Sequence, residues 1–363
     1  MLMSFLSLIL QNGGCTVLHY VNVDQLKEGN IVAKNIYGNG GIFTLVKGVT
    51  ITNDYIDRIK SHGITVVCIE DNLATVGGED VIPPKLRAEA VQSLKEVTML
   101  IKDSVKPRGK FIFVLDNVIN AIIDELAKNN KNLVSIVDLK THDDYTYAHS
   151  VNVAVLALVT GMAMGYEYAK LKNMGLGALL HDIGKTSIPV QILNKSTKLS
   201  VEELAVIKKH PEIGFQKSKV SLDLDPTARA VILQHHEKID GTGYPFGRTS
   251  DTIHEFAKVV AVADIYDALT SDRPYRKRWP IKETLDFLNS ICGTHIDTEV
   301  YKIFMQRISP FPPGIKVLVS DGREGYVLNN SNSLRPIIGF SDGTTVDLSK
   351  EMHLYVREIV ELR

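Results

Sequence analysis

The chain has 363 residues, 44% of them hydrophobic, with 41 basic and 42 acidic side chains and a net charge of −1. This balance excludes a general binder of nucleic-acid polymers or membrane surfaces, though not a local basic pocket, and the length suits two or three domains of roughly 150 residues each. Three cysteines, Cys15, Cys68 and Cys292, lie far apart with no C-x-x-C pair, which excludes a disulfide framework or a cysteine zinc site and points to a reducing cytoplasm.

The opening run MLMSFLSLIL is apolar, but it lacks a basic flank and a small-residue cleavage site and falls short of the ~20 residues that span a bilayer. Residues 1–16 are read as a poorly ordered or mis-assigned leader, with a weak membrane anchor as the lesser alternative. Residues 17–70 predict a small α/β unit. TVLHYVNV and GIFTLVKGVTI are rich in β-branched residues around the glycine turn YGNGG. TNDYIDRIKSHG predicts a short helix capped by Thr52 or Asn53 and closed by Gly63, and ITVVCIE a buried strand. Residues 71–84, DNLATVGGEDVIPP, have the glycine, proline and acidic content of a linker.

From residue 85 to 309 the pattern is helical. KLRAEAVQSLKEVTMLIKDSV and FVLDNVINAIIDELAKN repeat at three and four. VNVAVLALVTGMAMG, starting at Val151, resembles half a membrane span, but Asn152 and Thr160 interrupt it, and a helix buried inside a bundle accounts for it better. SVEELAVIKKH opens on a capping box, Ser200 with Glu203. DPTARAVILQHH starts with an aspartate and a proline, and FAKVVAVADIYDALTS is a second buried helix. Residues 310–363 return to strand patterns and form a small β appendage, with hairpin turns at Asp321-Gly322 and Asp342-Gly343.

Five of the eleven histidines stand in the helical region beside other potential ligands: His149, His181, His210 and the neighbours His235 and His236. Asp182 and Asp264 join them. Each has an ordinary reading when taken alone: a local hydrogen bond for the His181-Asp182 pair, a satisfied core histidine for His149, and a helix stop for His210 before Pro211. Together they are seven polar groups in mostly apolar surroundings, where an unpaired one is costly. Seven ligands exceed what one ion needs and suit two ions sharing a carboxylate. His149, His181, Asp182 and Asp264 are assigned to the first ion; His210, His235 and His236 to the second, with Asp182 bridging. Adjacent residues on a helix point about 100° apart, so His181 and Asp182 can converge only at a distorted helix end, or with the aspartate reaching between two ions. Imidazole and carboxylate without thiolate suit Fe, Mn, Zn, Ni or Co.

The order His149, His181-Asp182, Asp264 resembles the H…HD…D pattern of the HD-domain metal-dependent phosphohydrolases. HDIGK, H-P, HHEKIDGTGYP and ADIYDALTSDRPYR together resemble the HD-GYP subfamily over roughly residues 135–310. The resemblance implies a mainly α, HD-domain-like bundle with the metals inside, and phosphodiesterase activity on cyclic di-GMP, with iron or manganese favoured. Some members carry a glutamate one turn before the first histidine for a third metal. Tyr145 stands there in this chain and cannot replace it, and Asp143 and Asp144 have the wrong spacing for the same helix face. Two metals are therefore expected.

Two cations about 3.5–4 Å apart can bind a bridging water and make it hydroxide near neutrality; that hydroxide would attack phosphorus in line with the leaving 3′ oxygen. Lys185, one turn after Asp182, is expected to reach a phosphate oxygen, and Asp267, one turn after Asp264, to orient a water or Lys185. Arg273 and Arg276 are the choices for phosphate or guanine contact, because guanidinium forks match both. Proline restricts the residue before it, so Pro245 is expected to hold Tyr244 extended, and the glycines of DGTGYP could turn it toward the pocket or toward a signalling partner. The 17–70 unit could regulate, form a homodimer or cover the bundle. Another cyclic dinucleotide or nucleotide as substrate, or a non-catalytic scaffold, are the alternatives.

Overall fold

The computed structural model describes residues 17–33, 35–37, 43–62, 64, 66–71, 81–103, 110–128, 145–193, 195, 197–222, 224–271, 278–311, 313, 315–329 and 334–360. They form two compact units, a helical one between Val81 and Ile308 and one that carries the sheets. The proposed leader, Gly63, and most of the 71–84 stretch lie outside the described residues, as do Asp143, Asp144, Arg273 and Arg276.

In the sheet-bearing unit, β1 (Val17–Asn22), β5 (Val66–Asp71) and β2 (Ile31–Val32) form one antiparallel sheet with β5 in the centre. β3 (Ile36–Tyr37) pairs with β4 (Phe43–Leu45). Helix α1 (Asn53–Ser61) starts where the Thr52 hydroxyl accepts from the Tyr55 N–H, and its C-cap is His62. Val32, Ile51, Ile59 and Val67 fill the core beneath it. Toward the C-terminus, β6 (Lys316–Val319), β7 (Glu324–Asn329), β8 (Ile337–Phe340), β9 (Thr345–Asp347) and β10 (Val356–Ile359) make one antiparallel sheet in the order β10-β6-β7-β8-β9. The two hairpins read from the sequence are thus joined edge to edge, with a fifth strand added. Gly322 and Gly343 sit at the turns with φ near +90° and +81°, angles that glycine alone adopts readily.

The helical unit contains α2 (Pro84–Asp103), α3 (Lys110–Lys128), α4 (Tyr145–Ala163), α5 (Tyr168–Leu179), α6 (Val190–Leu193), α7 (Val201–Ile207), α8 (His210–Ser221), α9 (Pro226–Gln234), α10 (Glu255–Thr270), α11 (Ile281–Ile291) and α12 (Thr298–Arg307). Local signals set several boundaries. The Ser200–Glu203 capping box is formed at α7, and the Asp225 carboxylate accepts from the Thr227 N–H at the start of α9. Asp297 caps α12 in the same way.

Helix α4 is the axis of the unit: α5 packs on one side of it, and α10, α12 and α2 on others. Every residue from Ser150 to Gly161 is buried, which explains its apolar sequence. Among the described residues, Thr146–Ala163 is the one helix long and apolar enough to cross a bilayer, and 72% of it is buried in the unit. It is a core helix.

Candidate metal centre

Two helices carry the first half of the site. On α4, His149 and Asn152 stand three residues apart and share a face; on α10, Asp264 and Asp267 do the same. The two helices pack side by side, and these faces meet. His149 Nδ1 lies 2.7 Å from Asp267 Oδ2, and the Asn152 amide donates to Asp267 Oδ1 at 3.0 Å. His149 Nε2 then faces Asp264 Oδ1 at 3.1 Å.

The other histidines arrive from helix ends. His181 and Asp182 follow the last turn of α5 and precede a 3₁₀ turn, Ile183–Ser187, the distorted end that two adjacent ligands require. His235 is the C-cap of α9. His210 opens α8, with Pro211 in its first turn, so it starts a helix and does not stop one. A common device aims these rings. His181 Nδ1 bonds the Ala178 carbonyl (2.7 Å), His210 Nδ1 that of Ile207 (2.8 Å) and His235 Nδ1 that of Ile232 (3.0 Å). Each partner is a carbonyl three residues back, near the end of a helical turn, where carbonyls lack intrahelical donors. A carbonyl only accepts, so each Nδ1 carries the proton and each Nε2 offers a lone pair.

Those lone pairs converge. His210 Nε2 and His235 Nε2 stand 3.2 Å apart. Asp182 sits among them and divides its oxygens: Oδ1 faces His210 Nε2 at 3.3 Å and His235 Nε2 at 4.0 Å, while Oδ2 faces His181 Nε2 at 3.4 Å and His149 Nε2 at 4.0 Å. His181 Nε2 and Asp182 Oδ1 are buried without a hydrogen-bond partner. Acceptors facing acceptors in a buried space repel unless a cation lies between them, so this donor set fits divalent metal. Ligand atoms within 4.8 Å of one another occur in three sets: Asp182, His210, His235, His236; His149, His181, Asp182; and His181, His235, Asp264. Asp264 spans the groups, with Oδ2 at 3.8 Å from His236 Nδ1.

Glycines permit this approach. A Cβ on Gly184 would lie 1.9 Å from the His210 carbonyl oxygen, and one on Gly177 2.8 Å from the Ala228 oxygen. The 3₁₀ turn of the HDIGK motif therefore packs backbone to backbone against the start of α8, and α5 packs closely on α9.

Residues 121–300 match the HD domain family. This chain carries an HD domain of the HD-GYP type. Over 214 residues it is 39% identical to the cyclic di-GMP phosphodiesterase PA4108 of Pseudomonas aeruginosa, covering 57% of this chain and 51% of that protein. Over 179 residues it is 35% identical to 3'3'-cGAMP-specific phosphodiesterase 3 of Vibrio cholerae, covering 49% and 38%. The chain thus spans about half or less of the length of these curated relatives. In three dimensions it is similar to Bd1817, an HDGYP protein from Bdellovibrio bacteriovorus, with a TM-score of 0.51 at 19% identity over 79% of this chain and 98% of that one; at that identity the likeness speaks for the fold alone.

The HD-GYP loop closes the site on one side. The Tyr244 ring lies against the His236 ring, with centroids 4.7 Å apart, and Lys208 Nζ stands 5.3 Å from the Tyr244 ring centroid. The Tyr244–Pro245 bond is cis. Buried Glu237 accepts from the Phe246 and Arg248 N–H groups, both at 2.9 Å, and clamps the loop. Gly243 is needed for close approach: its Cβ would meet the Lys238 nitrogen at 2.3 Å. Burial raises the Tyr244 phenol, and Asp264 and Asp182 add to the effect.

One expectation needs correction: Asp267 faces His149 and Asn152, where Lys185 or a water was expected. Lys185 Nζ lies 2.5 Å from Asp182 Oδ2. Asn152, Arg87 and Glu237 were not read as site residues. The signal for Asn152 was its position, one turn after His149 in an otherwise apolar run; for Glu237 it was an acid directly beside two histidines. Arg87 carried none.

The ionisation pattern gives a test. Burial pushes His210 down to about 4 and His236 to about 3, and drives His235 well below its ordinary value. Burial also opposes the charged form of His149, but the Asp264 and Asp267 carboxylates outweigh it and raise that ring to about 8. In the metal-free protein the three depressed imidazoles bind fewer protons folded than unfolded. Their contribution is complete above the unfolded pKa of about 6.5 and is lost as pH falls toward 4. His149 acts oppositely, but it loses its stabilisation only as pH rises through 8. Chelator-treated protein should therefore melt lower at pH 5 than at pH 7, by about 5 °C or more. A flat or rising melting temperature over this window would contradict buried neutral rings.

Proposed function

We propose that this chain is a divalent-metal-dependent phosphodiesterase, acting in the cytoplasm, that hydrolyses cyclic di-GMP to pGpG and onward to GMP. The observation that carries the reading is the convergence of imidazole lone pairs on Asp182, whose two oxygens face opposite histidine groups. His149, His181, Asp182 and Asp264 would hold one ion, and His210, His235, His236 and Asp182 the other. Iron or manganese is favoured, and zinc, nickel or cobalt is compatible with nitrogen and oxygen donors. When bound, two such ions supply Lewis acidity toward a phosphate oxygen and a water activated near neutral pH.

The remaining residues bind and orient. Lys185, partly exposed at the edge of the cluster, neutralises a phosphate oxygen as a point charge. Tyr244 walls the pocket beside His236 and offers a ring face to a base. Arg273 and Arg276 take phosphate or guanine. The carboxylate of Glu237 keeps the loop closed, so Tyr244 is presented in one position.

The names of PA4108 and of the Vibrio cholerae enzyme favour a cyclic dinucleotide and leave two candidates. Purified protein loaded with Mn(II) or Fe(II) under reducing conditions should contain about two ions per chain and cleave cyclic di-GMP, followed by chromatography of the products. Faster cleavage of 3'3'-cGAMP would favour the second substrate. No cleavage of either by metal-replete protein would leave a scaffold that docks a signalling partner at the Tyr244 loop. One ion or none per chain would remove the binuclear model.

A further inference from the structure

The contacts of His149 do not end at Asp267. The Asn152 carbonyl oxygen accepts from the guanidinium of Arg87. Arg87 belongs to α2, which packs on α4 but lies before the residues 121–300 that match the HD domain family. A line of four side chains therefore runs from α2 into the metal centre: Arg87 to Asn152, Asn152 to Asp267, Asp267 to His149. Resting on the metal-centre reading above, we propose that Arg87 and Asn152 are positioning residues that fix the ring and tautomer of His149 for metal binding.

The chemistry of each link has one direction. A guanidinium only donates, so the Asn152 atom that faces Arg87 must be its oxygen. The amide nitrogen then points to Asp267 and donates to Oδ1 at 3.0 Å. Without Arg87, Asp267 alone holds the Asn152 amide, which can swing about that one bond. With Arg87 both ends are fixed, since a half turn would set an NH2 group against a guanidinium and an oxygen against a carboxylate. Asp267 thus has one oxygen held by Asn152, which leaves Oδ2 for His149 Nδ1 at 2.7 Å. With Nδ1 committed to Asp267, Nε2 is the atom left to a metal ion beside Asp182 and Asp264. The middle members are buried, with Asn152 and His149 each 3% exposed and Asp267 1% exposed, so water cannot readily substitute for a lost partner.

The pattern distinguishes His149 from the other ligands. His181, His210 and His235 are aimed by backbone carbonyls near their own helix ends, which no side-chain substitution removes. His149 lies inside α4, four residues past its first residue, where backbone carbonyls are already bonded. It needs side chains to aim it, and those side chains come from α10, α4 and α2.

The test is Mn(II) binding to metal-free protein, followed by calorimetry or by the free-Mn(II) magnetic resonance signal, with no substrate present. Arg87→Met keeps the aliphatic stem and removes the donors; Asn152→Leu keeps the volume and removes the amide. Each should weaken one Mn(II) site by about ten-fold or more and leave the other near its wild-type affinity. The double variant should bind no more weakly than Asn152→Leu alone, because Arg87 acts through Asn152. Arg87→Lys, which restores one donor, should recover part of the affinity. Wild-type affinity at both sites in Arg87→Met, or losses that add in the double variant, would overturn the proposal. If Arg87→Met does not fold, the Arg87→Lys and Arg87→Gln pair decides the matter: equal affinities at both sites in a folded Arg87→Gln protein overturn it. Failure of wild-type protein to cleave a cyclic dinucleotide would sink the proposed activity and leave this binding result standing.

Discussion

Asp182→Ala should abolish turnover, lowering kcat by about 10³-fold or more, and should leave the protein folded. The argument rests on where the carboxylate sits. Asp182 is buried, and although burial opposes its charge, Lys185 and His181 hold the carboxyl well below its ordinary value. It is therefore an anion beside His210, His235 and His236, which burial keeps neutral near pH 7. Its two oxygens are shared between the His210–His235 and His149–His181 groups, so its loss removes a ligand from both proposed ions at once. Asp264 also spans the groups, at 3.1 Å from His149 Nε2 and 3.8 Å from His236 Nδ1, while Asp182 faces His181 and His210 at 3.4 and 3.3 Å. The fold should survive because the deletion strands no buried charge. The partner Lys185 has a side chain 26% exposed and can turn to water. Circular dichroism and the melting temperature should stay near wild type while bound metal and cleavage both fall. A variant with near-normal turnover would end the bridging role.

The clustered histidines and aspartates were legible because their chemistry is unusual in its surroundings. His181-Asp182 and His235-His236 are adjacent polar pairs at the ends of apolar helical stretches, and that clustering shows in one dimension. The helix caps at Ser200 and Asp225 were legible for a different reason: their hydrogen bonds span two or three residues and need no tertiary partner. What the sequence hides is contact between distant segments. Asn152 reads as an interruption of an apolar run until α10 brings Asp267 against it, 115 residues away. Arg87 looks like one more charge on an amphipathic helix. Asp267 was found, but with the wrong partner, since spacing along α10 fixes its side of the helix and not what faces it. The two C-terminal hairpins were read from their Asp-Gly turns, yet β10 escaped notice. The stretch Val356–Ile359 is short, and only its pairing with β6 makes it a strand.

Glycines were read as turns or motif letters, and Gly184 gives the second large effect. Gly184→Ala should destabilise the helical unit by about 3 kcal/mol or more and lower the bound metal from about two ions per chain to about one. A Cβ there would lie 1.9 Å from the His210 carbonyl oxygen, 2.7 Å from the Gly214 nitrogen and 2.8 Å from the His210 carbonyl carbon. All three are backbone atoms, so no rotamer change can yield, and the first turn of α8 must move away. His210 moves with it, and its Nε2 leaves Asp182 Oδ1, now 3.3 Å away. His149 stands on α4, away from the backbone atoms that this Cβ meets, so the first group is disturbed less. Gly161→Ala is the matched comparison. Its Cβ would meet the terminal carbon of Met174 at 2.5 Å, and a methionine side chain can bend aside. That variant should lose little stability and no metal. If Gly184→Ala melts near wild type and retains two ions, close backbone packing is not what sets the position of His210.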